Sequence, residues 1–255
     1  ERMKHVIEPT FSIDQVTTID NYQRVSITTD PTDFIVGGGR RLTYGLVNRL
    51  FLRARADAGV RGATREFMTV GVQQTLYSKP EMSQYDNVYA SAFRGRRLTA
   101  LSPVALTVRV NPAAALNANA RLEYDVSGDG LQIVTTGVSA SVARHTTSVS
   151  YSRRRLFRTA KGESALGGST TLNFLDRRAT GTYALNWDIS RNTLLSQSVV
   201  AAYMAQCCGV QVEFQRFKFP ETNPSFPISS DRRFNVSFVL AGLGTFSNFF
   251  GAFGG

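Results

Sequence analysis

Cys207 and Cys208 are the only cysteines in 255 residues, and they are adjacent. A disulfide needs Cα atoms well beyond one extended step and a suitable Cβ orientation, so neighbours bond each other only by distorting the peptide between them. Each therefore calls for its own partner, and this chain supplies none. Either both are free thiols or the sequence is part of something larger. Two other groupings invite chemistry. His145 with Ser148 suggests a serine hydrolase, but nucleophile and base need a mutual hydrogen bond and a third, orienting group. The stretch Ala143-Arg144-His145-Thr146-Thr147-Ser148 carries no such signature and reads as a hydrophilic turn. Gly37-Gly38-Gly39 before Arg40 and Arg41 could cradle a phosphate, yet no strand–loop–helix unit surrounds it, and a loop end entering a strand fits better. His5 has no catalytic neighbourhood, and a cysteine pair without nearby histidine is not a zinc pattern. The sequence therefore predicts no catalytic residue, no metal and no cofactor.

The elements around these residues are strands. Leu116, Ala118, Ala120, Leu122, Tyr124 and Val126 face one way, and Asn117, Asn119, Arg121, Glu123 and Asp125 face the other. Val104, Leu106, Val108 and Val110 oppose Ala105, Thr107 and Arg109, and Tyr183, Leu185, Trp187 and Ile189 oppose Thr182, Asn186 and Asp188. Successive side chains of a strand point to opposite faces, so each segment has one apolar and one polar side. The chain reads as all-β, with about twelve strands near 3–16, 40–56, 66–77, 100–110, 116–126, 131–142, 146–152, 168–176, 181–189, 195–206, 209–218 and 233–245. Many have roughly the nine to eleven residues that let a tilted strand cross a bilayer.

The connections separate a membrane barrel from a soluble sandwich. The long ones, 17–39, 78–99, 153–167 and 219–232, are the first, third, seventh and eleventh, all odd. The even ones are short, among them Asn111-Pro112-Ala113, the stretch after Val142, and the cysteine pair. In an up-and-down meander, odd and even connections lie at opposite ends, and long loops at one end with tight turns at the other is the form of an outer-membrane barrel. The cysteine turn then falls on the short-turn, periplasmic side. Tyr44, Tyr124, Tyr151, Tyr183 and Trp187 lie on apolar faces, where barrels place interfacial girdles. The polar faces carry Arg109, Arg121, Glu123, Asp125, Asp188 and Glu213, which suits a hydrated lumen and would be costly in a sandwich core. Leu116, Leu122, Tyr124, Tyr183, Leu185 and Trp187 are thus predicted to face lipid, and Arg109, Arg121, Glu123 and Asp188 the lumen.

Composition agrees. With 42% hydrophobic residues the chain can bury a core, and no apolar run approaches the length of a membrane helix. The net charge of +10 raises nucleic acid as a partner, but the arginines fall singly along strands and cluster only in apparent loops, as at Arg153-Arg154-Arg155 and Arg94 to Arg97. Nucleic-acid binding is therefore not expected. The opening Glu-Arg-Met-Lys-His has no apolar leader and fits a processed or excised piece.

Three stretches resemble one family. Tyr203-Met204-Ala205-Gln206-Cys207-Cys208-Gly209-Val210, followed by a strand, a loop and Phe238-Val239-Leu240-Ala241-Gly242-Leu243-Gly244, looks like the carboxyl-terminal end of the LptD family of outer-membrane LPS-assembly proteins. Arg2-Met3-Lys4-His5-Val6-Ile7-Glu8-Pro9 looks like the R-x-x-H-x-x-x-P start of a strand in that family's barrel, and Leu42-Thr43-Tyr44-Gly45-Leu46-Val47-Asn48-Arg49-Leu50 resembles a later strand. The resemblance implies a large β-barrel preceded by a periplasmic β-jellyroll, with an LptE-like lipoprotein plugged in the lumen. Lipopolysaccharide would arrive along a bridge of jellyroll domains and leave through a lateral opening between the first and last strands. Cys207 and Cys208 match the family's carboxyl-terminal cysteines, which bond to cysteines of the amino-terminal periplasmic part.

The expectation is therefore the carboxyl-terminal barrel portion of a lipopolysaccharide translocon in the outer membrane, occupying 1–255 without the jellyroll and earlier strands. The last strand, with Phe234, Val236, Phe238, Leu240, Gly242 and Gly244, would form one side of the lateral exit; its glycines weaken strand pairing there. The alternatives are a self-contained outer-membrane porin, which would pair strand 3–16 with strand 233–245, an outer-membrane hydrolase, and a soluble β-sandwich adhesion module.

Overall fold

The computed structural model describes residues 2–18, 36–53, 63–92, 98–155, 162–218, 230–240 and 244–246. Among the described residues there are thirteen strands: β1 (Arg2–Val16), β2 (Gly39–Arg53), β3 (Thr64–Tyr77), β4 (Val104–Ala113), β5 (Leu116–Asp125), β6 (Gly130–Val142), β7 (His145–Arg154), β8 (Glu163–Phe174), β9 (Ala179–Asp188), β10 (Thr193–Met204), β11 (Cys208–Lys218), β12 (Ser230–Leu240) and β13 (Gly244–Phe246). They follow one another in chain order, each hydrogen-bonded to the next, and β1 and β13 end the order. This is the all-β, up-and-down antiparallel sheet that the alternation predicts, arranged as part of a barrel would be. Among the described residues no helix is long and apolar enough to cross a membrane, which says nothing of strands.

Three boundaries differ from the sequence reading by more than three residues. β4 begins at Val104, not near 100. The segment before it runs beside the end of β3, with Tyr77 N donating to Ala100 O at 2.7 Å and Ser102 N to Thr75 O at 2.8 Å. Pro103 then follows, and its missing N–H cannot continue the ladder. β8 begins at Glu163 instead of 168: Ala165, Leu166 and Gly167, read as part of the connection 153–167, pair with Asp188, Trp187 and Asn186 of β9. A Cβ on Gly167 would stand 2.7 Å from Ser150 Oγ, so a larger residue there would have to turn the Ser150 hydroxyl aside. Finally, the stretch read as one strand over 233–245 is two, and Gly244 belongs to β13.

The connection pattern is partly as predicted. The connections 17–38, 78–103 and 219–229 are long and odd-numbered, whereas 114–115, 143–144, 175–178 and 205–207 are short and even. The second, 54–63, is longer than the other even ones, and the odd 126–129 and 189–192 are tight. Two compact units divide the chain, residues 1–136 with 152–162, and residues 137–151 with 163–255.

Candidate functional site

Antiparallel register puts directly opposed residues on one face, so the pairings of each unit separate its two surfaces. In the first unit one face collects Phe11, Tyr44, Gln74, Val104 and Tyr124 in one row, and Pro9, Leu46, Val72, Leu106 and Leu122 in the next. Large apolar side chains are exposed on it, including Phe11 at 68% and Tyr124 at 54%, as is Leu116 farther along β5. In the second unit, the corresponding face carries Leu166, Trp187 and Leu194 in one row, then Leu185, and then Thr170, Tyr183, Val199, Phe214 and Phe234. Tyr183, Trp187, Val199, Phe214 and Phe234 are exposed there. Alternation thus survives pairing, with every residue predicted to face lipid on the exposed apolar side of its unit.

The other face of the first unit holds the polar side chains and is covered in part: Thr75, Glu123 and Asp125 are buried, whereas Glu8, Thr107 and Arg109 are exposed. Arg109 is registered with Thr69 and Asn119, and Arg121 with Thr107. Arg49 Nε donates to Glu8 at 2.9 Å and Arg49 Nη1 to Glu66 at 3.0 Å, a three-residue ion network across β1, β2 and β3. Over β2 to β5 the described parts of the third connection, 78–92 and 98–103, fold back onto this face. Its short 3-10 helix Pro80–Gln84 leads to Asp86, whose carboxylate accepts from Tyr77 Oη at 2.7 Å and lies 3.6 Å from Arg41 Nη1. Tyr89 Oη meets Thr75 Oγ1 at 2.9 Å, and Thr75 Oγ1 meets Thr43 Oγ1 at 2.9 Å. Burial pushes the Tyr89 phenol above its ordinary value, against the hydrogen bonds from its hydroxyl neighbours.

Glu123 is the hub of this covered face. It is 0% exposed. Its Oε1 accepts the Ala90 N–H and its Oε2 the Ser91 N–H, both at 2.9 Å. Arg121 Nε completes the set at 2.9 Å and also ties Val88 O through Nη2 at 2.6 Å. A buried carboxylate with two consecutive amides and a guanidinium is fully satisfied, which is the condition for burying it at all. The sequence places Arg121 and Glu123 on the polar face; nothing in it shows that a loop would cover them, since loop 78–103 has no periodicity. Asp125, also buried, accepts from Gln132 Nε2 at 3.2 Å and Ser127 N at 2.6 Å.

The remaining predicted residues have local roles. Asp188 is on the polar side, but its carboxylate closes the turn after β9, taking Arg191 N at 3.0 Å and Arg191 Nη1 at 2.9 Å. Cys207 and Cys208 are exposed free thiols with sulfurs 3.5 Å apart, in a turn closed by Ala205 N donating to Cys208 O at 2.7 Å. A Cβ on the neighbouring Gly209 would lie 2.1 Å from Met204 Sδ, so any larger residue there displaces the exposed Met204 side chain. Phe234, Val236, Phe238 and Leu240 lie on β12, Gly244 on β13, and Gly242 lies outside the described residues. His145 and Ser148 are three apart on β7 and so project to opposite faces. Ser148 Oγ bonds Ser169 Oγ at 2.7 Å. Gly37 and Gly38 make a turn, with Gly37 O accepting from Lys79 Nζ at 2.8 Å. Among the described residues no group of His, Cys, Asp and Glu could hold a metal. Arg94 to Arg97 lie outside the described residues.

An antiparallel meander with one exposed apolar face and one polar face defines a barrel-like β-sheet protein whose chemistry lies in its surfaces. The family model described as LptD: LPS transport system D matches residues 32–193, more than half of the chain, and the chain belongs to that family. The match includes the Leu42–Leu50 stretch and the covered face at Glu123, while the cysteine turn lies beyond it. The family is one of outer-membrane transport proteins, not enzymes, and its general role is lipopolysaccharide transport. No curated protein matches the chain.

Proposed function

We propose that this chain is the carboxyl-terminal barrel portion of an outer-membrane lipopolysaccharide translocon that releases its cargo sideways into the membrane. The observation that carries the reading is the two-faced sheet of a family member: rows of exposed Phe, Tyr, Trp and Val opposite rows of charged and hydroxyl side chains. The apolar face meets membrane lipid. The polar face borders the lumen, where an LptE-like lipoprotein sits. The short even-numbered turns face the periplasm, so Cys207 and Cys208 bond to cysteines of an amino-terminal periplasmic domain fed by jellyroll bridge proteins.

The lateral exit is at the β12–β13 end. Among the described residues β12 is paired along its length with β11, but on its other side only over Phe238–Leu240, by the three-residue β13. Such a short partner parts at lower cost than a full strand. The test is a reversible disulfide between the Asn235 position and the first strand of the complete barrel, made with the native bonds of Cys207 and Cys208 controlled. Export of lipopolysaccharide is expected to stop on oxidation and recover on reduction. Export that continues through a locked seam places the exit elsewhere, and a porin-like solute flux independent of lipopolysaccharide favours the self-contained channel.

A further inference from the structure

The β11–β12 pair carries a charge arrangement that strand pairing alone does not explain. On its outward face the register runs Lys218 opposite Ser230, Arg216 opposite Arg232, Phe214 opposite Phe234, Val212 opposite Val236, and Val210 opposite Phe238. Like charges directly opposite each other destabilise a ladder, and Lys218, two residues on, adds a third cation to the same face. All three cations are exposed. Among the described residues none of them has an ion-pair partner, unlike Arg41, Arg49, Arg121, Arg144, Arg191 and Arg233. The acids of these two strands, Glu213 and Asp231, lie on the opposite face. There Asp231 Oδ2 holds Arg233 Nε at 2.7 Å, and the Arg233 guanidinium stacks 5.7 Å from the Phe217 ring. The outward face is left with cations alone at the end remote from the cysteine turn, above an apolar ladder in which Phe234 is 69% exposed.

We infer that Lys218, Arg216 and Arg232 form an outward-facing phosphate site that holds a phosphorylated, acylated lipid of the membrane leaflet, with its acyl chains along the Phe214, Phe234, Val212 and Val236 ladder. A guanidinium pair matches phosphate oxygens through charge-assisted, bidentate hydrogen bonds. A bound phosphate turns the Arg216–Arg232 repulsion into a shared attraction. Successive rows of one face are about 6.7 Å apart along the strand, so the ladder below the cations is long enough to lie against acyl chains in a band roughly 25 Å tall. The inference rests on the proposed orientation of the apolar face toward lipid.

The experiment uses the complete translocon in nanodiscs, with a photo-reactive residue at Phe234. Discs contain lipopolysaccharide, the same glycolipid stripped of its lipid-anchor phosphates, or phosphatidylcholine. The expected result is a glycolipid adduct that falls about tenfold, as for loss of charge-assisted hydrogen bonds, on dephosphorylation or in Arg216→Gln/Arg232→Gln. Arg216→Lys/Arg232→Lys should retain most of it. A second readout is independent of crosslinking: Arg216→Gln should raise the unfolding midpoint in phosphate-free detergent, where repulsion is relieved, and lower it when phosphorylated glycolipid is added. Equal adduct yields in all variants, a midpoint change of one sign in both media, or a protein as the captured species would overturn the site. No adduct with any lipid in any disc would instead show that this face does not meet the membrane.

Discussion

The polar faces of the two units follow one sequence rule and end in different environments. On β2 to β5 residues 78–92 and 98–103 of the third connection lie over polar side chains, and Thr75, Glu123, Tyr89 and Asp86 are all buried. On β9 and β10 the same alternation leaves Asn186 exposed, hydrogen-bonded to Ser196 Oγ at 2.9 Å. Period two decides which face a residue takes; a separate segment decides whether that face meets water or protein. The apolar faces, by contrast, are alike in both units. The covered polar surface is held in place by the hydrogen bonds of its own connection, whereas among the described residues Asn186 on the uncovered one has only neighbouring strand residues as partners.

The strongest way to break the contrast is Glu123→Ala. It strands the Ala90 and Ser91 amides and the Arg121 guanidinium, and removing one member of a buried ionic group costs about 3–5 kcal/mol. Limited proteolysis should open the 78–103 loop while cleavage around β9 to β12 stays unchanged; a loop that remains resistant means Glu123 is not its anchor. Next in size, Leu122→Arg and Val199→Arg test the likeness of the apolar faces. Each should cost roughly 2–4 kcal/mol if its site lies near the bilayer midplane, read as unfolding in lipid vesicles. A large cost for one and none for the other would show that only one unit has its apolar face in lipid.

The smallest effect sharpens the covered face. Tyr89→Phe removes the bond to Thr75 and should cost about 1 kcal/mol. Because burial raises the Tyr89 value in the folded protein, its contribution is complete below about pH 10, the ordinary tyrosine value, and is lost as pH climbs through the raised one. Alkaline titration of protease resistance should therefore show loop release that is absent from Tyr89→Phe. Identical alkaline profiles would separate the phenol from docking.

Strand existence and face were legible because alternation is local. The segment predicted over 116–126 is β5 at Leu116–Asp125, and 146–152 is β7 at His145–Arg154. Misplacements came where a non-local contact overrules propensity. Residues 163–167, read as part of a connection, belong to β8, where 165–167 pair with β9, and Pro103 cuts β4 short. The burial of Glu123 had no sequence signal, since its partners are backbone amides more than thirty positions away, at Ala90 and Ser91. The family was read from the chain's two ends and from Leu42–Leu50; of these only Leu42–Leu50 lies in the matched segment, 32–193, which also includes a middle that reads as generic barrel.

The strand order has a consequence for how such a chain is made. Every strand pairs with the one synthesised just before it, so a growing chain always offers its newest edge as the template for the next hairpin. Closing connections as short as 114–115 or 143–144 costs little chain entropy, and such local contacts favour fast, stepwise addition. One step is out of register with this simple progression. Loop 78–103 can dock on β2 and β3 through Asp86 and Tyr89 as soon as it emerges, yet its Ala90 and Ser91 amides are held by Glu123, which arrives only with the second strand that follows. An assembly halted after β4 would have this loop fastened at one end and these two amides without their carboxylate.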